Sequence, residues 1–403
     1  MDNLRFLSFL PIIPLSFLHF FLIPLAKEPV FDENYYIPAG LDLLEGKFSN
    51  LEHPFLGKLW VSLGILLFGN NPLGWRFFYV ILGILALVVY WLMAKEFYDE
   101  LRAFFALSFL SLENLFFTHS SLALLDIPSI LFSLLALLLI LKKRYYLAAL
   151  SLGIALLNKE SALLFILVIF IFLIFTEKRI LKSLRENYMK IFLFLLILSS
   201  TFLLPLTLYD FIYKPKFTFH NREWVLNNGL DHAYFIYIYA STLTMELLEE
   251  PEKGNFAWNW IIPSLEPYKP LGYYYSEQKD AKGNTLSYVS WVGMGNLFIW
   301  WGIWLILPFS IYNIIFRRAN RMDHLSFSWI AGSYFPFLYL SLFTNRVVYP
   351  FYFLNTVPIL TLSIPYYFNS LIKDDFKFVL SMILYLFPVV FFFFYYFPYK
   401  LVI

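Results

Sequence analysis

The chain has 403 residues, of which 60% are hydrophobic, 22% aromatic and only 14% charged. This composition excludes a water-soluble protein of that length and indicates an integral membrane protein. The absence of cysteine excludes disulfides, thiolate catalysis and cysteine-bound metals, and a net charge of +2 without a cluster of Lys and Arg among aromatic residues gives no indication of nucleic-acid binding.

Hydrophobic segments long enough to cross a membrane recur along the chain. A transmembrane helix needs roughly 17 to 25 apolar residues. The sequence predicts eleven such segments, the fifth of them short, near residues 6–26, 74–94, 102–119, 124–141, 144–158, 160–176, 190–209, 296–316, 325–343, 350–368 and 376–397. No small-residue cleavage site follows the first segment, so we expect it to stay in the mature protein as an anchor. The expected fold class is therefore an all-α polytopic membrane protein.

Basic residues in the short connections predict the orientation. One set of connections is rich in Lys and Arg, namely KKR (142–144), EKRILKSLRENYMK (177–190), RRANR (317–321) and Lys373 with Lys377. The alternate short connections contain Lys159 alone, Arg346 alone or no basic residue. Because cytoplasmic loops retain positive charge, we expect the first set and the N-terminus in the cytoplasm and the C-terminus on the outer face.

This topology leaves two long segments, residues 27–73 and 210–295, on the outer face. Each contains the Trp, Tyr and Pro residues that are typical of the headgroup level, so we expect neither to be an independent domain. Residues 57–69 are too short to span and predict an interfacial or re-entrant helix. Three prolines within residues 258–275 exclude a regular helix there. We expect residues 1–403 to form one membrane-embedded unit whose function lies on the two outer segments.

The outer-face residues occur in a specific order. The sequence contains FDENYY (31–36), HPFLGK (53–58), NPLGWRF (71–77), LALLDIP (122–128), NKES (158–161) and GNLFIWWG (295–302). This order resembles the protein O-mannosyltransferases, which form glycosyltransferase family 39 and have the GT-C fold. In that family the first outer loop begins with an acidic pair and continues into a His-Pro-Pro-Leu-Gly-Lys segment, and the next span opens with an arginine-containing stretch.

The resemblance covers nearly the whole chain and is most specific in its first 130 residues. The matching residues are Asp32 and Glu33 for the acidic pair, His53, Pro54, Leu56, Gly57 and Lys58 for the following segment, Arg76 for the arginine, and Asp126 for a later acid. Phe55 replaces the second proline of the family segment. The second outer segment has no room for the carbohydrate-binding β-trefoil of eukaryotic members, so the resemblance is to the compact prokaryotic type.

The resemblance implies a reaction that assigns roles to these residues. The departure of a lipid phosphate is helped by cations that neutralise its developing charge, and Arg76, Lys159 and Arg346 each lie at the outer end of a predicted span. The acceptor hydroxyl needs a base, which is the role expected for Asp32. Glu33 is expected to raise the pKa of Asp32 or to hold the acceptor. A single inverting displacement requires one base.

Each of these residues also has a purely structural interpretation. In most membrane proteins, an acidic pair just outside a span only interacts with water at the membrane interface. Arg76 fits a snorkelling anchor. His53, within the segment that ends at Lys58, fits a turn or packing histidine. Asp126 is either a second acid of the site or the N-cap of the fourth span.

Two further polar residues, Glu113 and Asn114, fall in the outer half of the third predicted span. They either line the donor site or make a hydrogen-bonded contact between helices. Five aromatic residues of the second outer segment form either a platform for sugar or peptide or an interfacial belt, namely Trp258, Trp260, Tyr273, Tyr274 and Tyr275.

The spacing of the histidines gives no indication of a catalytic metal site, and we expect no required cofactor. The chain has six of them, at positions 19, 53, 119, 220, 232 and 324, without close ligand spacing. A divalent ion that bridges the donor phosphate and an outer-face acid stays open as an alternative.

The resemblance implies transfer of one sugar, mannose by preference, from a polyprenyl or dolichyl phosphate to Ser/Thr hydroxyls of a protein at the outer face of the cell membrane, or in the endoplasmic reticulum of a eukaryote. The expected partners are this lipid-linked donor, a Ser/Thr-containing protein or peptide and membrane lipid, without nucleic acid. One alternative is transfer of a sugar or aminosugar to a lipid or glycan. A second alternative, of another class, is a transporter or flippase that binds lipid phosphate, against which stand the long aromatic outer segments and the lack of an evident inverted repeat.

Overall fold

The computed structural model describes residues 8–176, 188–248, 255–263 and 269–402. In chain order, its first ten helices are α1 (Ile12–Leu22), α2 (Glu33–Leu44), α3 (Phe55–Phe68), α4 (Pro72–Ala94), α5 (Glu100–Ser111), α6 (Asn114–Ser121), α7 (Asp126–Leu141), α8 (Tyr145–Asn158), α9 (Leu163–Thr176) and α10 (Tyr188–Tyr213). The remaining helices are α11 (Gly229–Thr242), α12 (Leu297–Trp300), α13 (Ile303–Ile315), α14 (Arg321–Ser333), α15 (Phe335–Phe343), α16 (Val357–Leu371) and α17 (Asp375–Tyr395). Short 3-10 turns lie at Glu160–Ala162, Met245–Leu247, Ala257–Trp260 and Pro350–Asn355.

Four apolar helical stretches of the described chain are long enough to cross a membrane. They are α4, α10, the stretch Leu297–Ile315 and α17, and the bent pair of α5 and α6 counts as a fifth if it forms one span. The other predicted spans correspond to shorter helices, such as α7, α8 and α9. A membrane protein is therefore established, whereas the number of eleven spans and their orientation remain predictions. Residues 177–187, most of one connection used for that orientation, lie outside the described residues.

Two predicted spans are interrupted. The span predicted at 102–119 bends by 65° between α5 and α6, where the Glu113 carboxylate caps α6 by accepting from the Phe116 amide. The span predicted at 325–343 is divided at Tyr334, where α14 ends and α15 begins with a proline near its start. Polar capping and proline both stop the regular i to i−4 hydrogen bonding of a helix.

The expectation of an all-α chain is wrong for its second long segment and its end. Strands β1 (Lys216–Phe219) and β2 (Arg222–Val225) form a short hairpin. Strands β3 (Leu271–Lys279) and β4 (Thr285–Gly293) form a longer antiparallel hairpin, and β5 (Tyr399–Leu401) pairs with β4. Alternate residues of β4 are buried, as expected for a sheet with one face on the helices.

The first outer segment is helical where the sequence predicts a helix. Residues 57–68 of the predicted stretch 57–69 lie in α3, and Gly69, with a φ of 83°, caps its C-terminus. Its neighbour α4 begins with Pro72, and the Asn71 side chain accepts hydrogen bonds from the first turn of α4. The two helices touch backbone to backbone, because a Cβ at Gly64 would lie 1.9 Å from the Gly74 carbonyl oxygen. This contact fixes α3 beside the start of α4.

Candidate active site

The structure separates the two acids of the FDENYY stretch. Asp32 occupies the N-cap position of α2, and Glu33 is its first residue. The preceding residue, Phe31, has a φ of 54°, a left-handed conformation that is rare for an aromatic side chain. Asp32 is half-buried, whereas Glu33 is completely buried. The two carboxylates therefore have different surroundings although they are adjacent in sequence.

The Asp32 carboxylate retains most of its capacity to accept hydrogen bonds. It does not cap α2, and it receives one long hydrogen bond, of 3.4 Å, from the Tyr36 hydroxyl. Burial raises the pKa of Asp32, and the positive charges of Lys159 and His53 oppose that rise. A carboxylate with an open oxygen and a raised pKa is well suited to accept a proton from a hydroxyl.

The Glu33 carboxylate, in contrast, is fully used inside the protein. One oxygen accepts from Arg76 Nε at 2.9 Å and from the Ala123 amide at 2.7 Å. The other accepts from Arg76 Nη2 at 2.7 Å and from the Val30 amide at 2.8 Å. The expected roles of Glu33, tuning Asp32 or holding the acceptor, receive no support from these contacts, since Glu33 joins α2, α4 and the stretch before α7.

Arg76 lies on α4 and is also fully engaged. Besides Glu33, its guanidinium donates to the carbonyls of Ile23, Ala26 and Glu28 at 2.9, 2.6 and 3.0 Å. An arginine has five N–H groups, and all five are used here. A donor phosphate would have to displace one of these bonds, so the structure favours a clamp on the chain that leaves α1 over the predicted phosphate contact.

Asp126 is the centre of a buried polar network. Its carboxylate accepts from Lys159 Nζ at 2.8 Å and lies 3.2 Å from His119 Nδ1. The other ring nitrogen of His119 lies 3.0 Å from the Tyr273 hydroxyl on β3. The N-cap interpretation of Asp126 is wrong, because the residue is the first of α7 and caps nothing. The network links α6, α7, the turn after α8 and the β3–β4 hairpin.

Aromatic rings join this network to Asp32. Phe31 stacks on Tyr273 with ring centroids 4.0 Å apart and contacts Phe351 edge-on at 5.8 Å. Lys159 Nζ lies 5.4 Å from the centre of the Phe351 ring. The left-handed Phe31 thus packs its side chain between β3 and the Pro350–Asn355 turn and presents Asp32 beside them.

His53 and Lys58 stabilise the loop next to Asp32. His53 Nδ1 lies 2.9 Å from the Glu160 carboxylate, and the His53 ring contacts Tyr36 edge-on at 5.8 Å. Lys58 donates to the His53 carbonyl at 2.7 Å and to the carbonyl of Asn50. Burial lowers the pKa of Lys58 to about 7. The charge of His53 therefore acts on Asp32, whereas Lys58 binds the loop that carries His53.

Of the three residues predicted to bind phosphate, Arg346 has the side chain with the fewest polar contacts to the protein. Its backbone forms a bridge with Thr244, and its half-buried side chain makes no ion pair with any residue of the described ranges. Its charge acts on Tyr352, which is next to Phe351 in the aromatic wall. The placement leaves Arg346 available for an anion.

Glu113 and Asn114 make contacts between helices, one of the two alternatives for this pair. Glu113 accepts from the Asn296 amide at 2.8 Å and from the Trp300 indole at 3.1 Å. Asn114 donates to the Phe393 carbonyl at 3.1 Å. These bonds hold α6, α12 and α17 together, and they give no support to a place in the donor site.

Sequence reasoning missed several members of the site. The sequence patterns assign no role in the site to His119, Glu160 or Tyr36. The available signal was the cost of a histidine inside an apolar stretch, which requires a polar partner.

Among the described residues, no group of three His, Asp or Glu side chains is arranged to hold a metal ion.

The five aromatic residues of the second outer segment do not share one exposed face. Trp260 and Tyr273 are buried, Trp258 and Tyr274 half-buried and Tyr275 exposed. Tyr273 is the member that reaches the site. Part of the proline-containing stretch 258–275, residues 264–268, lies outside the described residues.

Comparison of the sequence identifies relatives in one family. Residues 52–204 match the family described as dolichyl-phosphate-mannose-protein mannosyltransferase. Similar curated proteins include the polyprenol-phosphate-mannose–protein mannosyltransferases of Mycolicibacterium smegmatis, 29% identical over 119 residues, and of Mycobacterium tuberculosis, 36% identical over 73 residues. These matches cover 28% and 16% of this chain. They span only 23% and 14% of the relatives' own lengths.

Comparison of the fold extends the similarity to almost the whole chain. The Saccharomyces cerevisiae protein O-mannosyltransferase Pmt1–Pmt2 complex bound to the sugar donor matches with a TM-score of 0.75 at 12% identity, covering 98% of this chain and 90% of that one. ArnT from Cupriavidus metallidurans bound to undecaprenyl phosphate matches with a TM-score of 0.60 at 14% identity, covering 92% and 62%. These similarities show a common fold, the GT-C fold. Residues 52–204 are thus similar in sequence to the protein O-mannosyltransferases, and almost the whole chain shares their fold.

Proposed function

We propose that the protein transfers mannose from a polyprenyl phosphate to Ser/Thr hydroxyls of a protein acceptor, with Asp32 as the general base. The observation that carries the proposal is the contrast within the acidic pair. Asp32 is half-buried with one long hydrogen bond, while Glu33 has no oxygen free to act. The match to mannosyltransferases in residues 52–204 supports the class of donor.

The reaction is a single displacement at the anomeric carbon of the sugar. Asp32 takes the proton of the acceptor hydroxyl as its oxygen forms the new glycosidic bond, and the bond to the lipid phosphate breaks with inversion. The departing phosphate gains negative charge. Arg346 supplies the positive charge that stabilises it, which makes Arg346 the preferred phosphate ligand in place of Arg76.

The donor and acceptor would meet at the boundary between membrane and water. Asp32 follows α1, and Arg346 lies on a connection that the basic-residue distribution assigns to the outer face. A lipid phosphate held at this level would reach Arg346 from the membrane, and an extended peptide would reach Asp32 from water. We therefore propose the outer face as the side of the reaction.

A transfer assay tests the proposal. Purified protein is incubated with polyprenyl phosphate that carries radiolabelled mannose, together with either a Ser/Thr-rich peptide or a matched peptide in which Ala replaces every Ser and Thr. Label in the first peptide alone supports the proposal. Label in a lipid or glycan acceptor alone would instead support the alternative transferase. Donor binding without transfer to any acceptor would support a transporter.

The protein acceptor is preferred because of the relatives. The curated matches are named protein mannosyltransferases, and the fold match covers 90% of the Pmt1–Pmt2 chain but 62% of the ArnT chain. The names of these relatives therefore favour a protein acceptor over a lipid or glycan.

A further inference from the structure

A buried Asp–His pair lies outside the site described so far. Asp210, near the end of α10, and His232, on α11, are both buried, and Asp210 Oδ1 lies 2.8 Å from His232 Nδ1. The other carboxylate oxygen is buried without a hydrogen-bond partner among the described residues. Apolar residues surround the pair, including Tyr209, whose ring centre lies 5.9 Å from that of His232.

The pair reaches across to the loop beside Asp32. His232 Nε2 lies 3.0 Å from the carbonyl oxygen of Leu51. That loop has a strained start, since Asn50 has a φ of 51°. Lys58 holds the carbonyls on either side of Leu51, those of Asn50 and His53. His232 therefore fixes the middle of a loop that carries His53 to Glu160.

Both ring nitrogens of His232 face hydrogen-bond acceptors. These contacts determine how many protons the Asp210–His232 pair holds. A carbonyl oxygen only accepts, so Nε2 carries a hydrogen. On the other side, either Nδ1 also carries one, or Asp210 is protonated and donates to Nδ1. The pair in both cases holds one proton more than a neutral histidine beside an ionised aspartate. Removal of that proton leaves one hydrogen for two acceptors, and the charged carboxylate is the stronger acceptor.

We infer that Asp210 and His232 form a positioning pair, which holds the Leu51 to His53 loop against the candidate active site while the pair keeps its shared proton and releases it at alkaline pH. The inference rests on the proposed function for its consequence on turnover. It assigns to the second outer segment a role in shaping the acceptor side of the site. The protonation state of the pair therefore determines whether the loop is held.

Other titratable groups near the pair need to be separated from it. They are Asp231 on α11, Tyr209 and Tyr213 on α10, Asp42 on α2, and Glu52 and Lys58 at the loop itself. Lys58 is the most important of these, because burial lowers its pKa to about 7 and it binds the same loop. A variant that changes the pair and leaves Lys58 in place isolates the contribution of the pair.

Two substitutions distinguish a positioning pair from simple packing. Asp210→Asn supplies an amide that donates to Nδ1 without a titratable proton, so Nε2–H stays on Leu51 at every pH. His232→Gln cannot bridge Asp210 and Leu51 with the geometry of the ring. His220→Gln, at an exposed position of the β1–β2 hairpin, is the matched control.

Hydrogen–deuterium exchange of the peptide covering residues 48–56 measures the loop without requiring transfer activity. We expect His232→Gln to raise exchange roughly two- to tenfold at neutral pH, the range for loss of one hydrogen bond, and His220→Gln to leave it unchanged. After correction for the intrinsic pH dependence of exchange, the wild type should lose protection at alkaline pH, and Asp210→Asn should lose much less. Equal loss in wild type and Asp210→Asn, or unchanged exchange in His232→Gln, would overturn the inference.

Turnover gives the second readout. If the proposed function holds, His232→Gln should raise KM for the acceptor peptide more than it lowers kcat, and Asp210→Asn should extend the alkaline limb of the pH profile relative to wild type. A wild type without transfer activity would refute the proposed function while the exchange result still decides the positioning pair. Unchanged KM in His232→Gln together with altered exchange would contradict the link to the acceptor side.

Discussion

Replacement of Arg76 by Ala should lower the free energy of unfolding of the protein. It should affect donor binding less. The Arg76–Glu33 pair is 1% and 0% exposed, with a shortest distance of 2.7 Å. Removing one partner of such a pair leaves a buried charge, which costs about 3 to 5 kcal/mol of stability. The three backbone carbonyls that Arg76 serves would also lose their donor, so the upper part of this range is expected.

An arginine–carboxylate pair with an exposed acid provides the control. Arg102 contacts Asp375 at 2.9 Å with side chains that are 18% and 80% exposed, so Asp375→Asn should cost less than about 1 kcal/mol. Thermal unfolding in detergent, followed by tryptophan fluorescence, compares the two variants, and equilibrium binding of lipid-linked sugar is then measured on the folded fraction. An Arg76→Ala protein that unfolds at the wild-type temperature but no longer binds donor would refute the clamp and restore the phosphate contact.

Three further predictions concern the base, the cation and the topology. Because burial raises the pKa of Asp32 and a base acts in its deprotonated form, kcat/KM should rise with pH through a midpoint above that of an exposed aspartate; a midpoint at the ordinary value would contradict this. Lys159→Met should destabilise the fold by about 3 to 5 kcal/mol since Asp126 stays buried, and adding Asp126→Leu should restore much of the stability but not transfer; an additive loss in thermal unfolding would argue against the pairing. A reporter inserted within 177–190 should be cytoplasmic and one within 278–284 outside, and the reverse labelling would place the site on the wrong face.

The sequence was informative about which residues meet at the site. Asp32, His53, Asp126 and Lys159 lie around one region, although they come from four separate stretches of the chain. The order of these residues along the chain resembles that of the family, and this resemblance implies that they share a site. The helix at Phe55–Phe68 followed from a run of apolar residues that ends at a glycine.

The pairing of charges could not be predicted from the sequence. Asp32 and Glu33 are neighbours, and the choice of which acid meets Arg76 depends on the left-handed Phe31 and on the start of α2. That conformation is imposed by contacts with Tyr273 and Phe351, which are more than 200 residues away in sequence. Local sequence patterns do not encode such contacts, so the sequence alone does not distinguish the structural Glu33 from Asp32, the proposed base.

The interrupted helices and the hairpin were missed for a related reason. Hydropathy alone joins α5 and α6 into one span, because the break consists only of Leu112 and Glu113, and the Glu113 carboxylate accepts from the Phe116 amide in place of a backbone carbonyl. Strands β3 and β4 contain the kind of aromatic residues that are also typical of a membrane interface, and their pairing depends on a turn at Asp280 to Gly283. Residues that suit both a membrane belt and a strand do not decide between them.

Asp32→Asn tests the central claim most directly. The substitution keeps the shape of the side chain and removes the proton acceptor. In an assay with saturating mannosyl lipid and a Ser/Thr peptide, the account predicts a transfer rate lower by roughly 100- to 10,000-fold with donor affinity and thermal stability close to wild type. Wild-type turnover by the Asp32→Asn protein would show that Asp32 is not the base and would contradict the account.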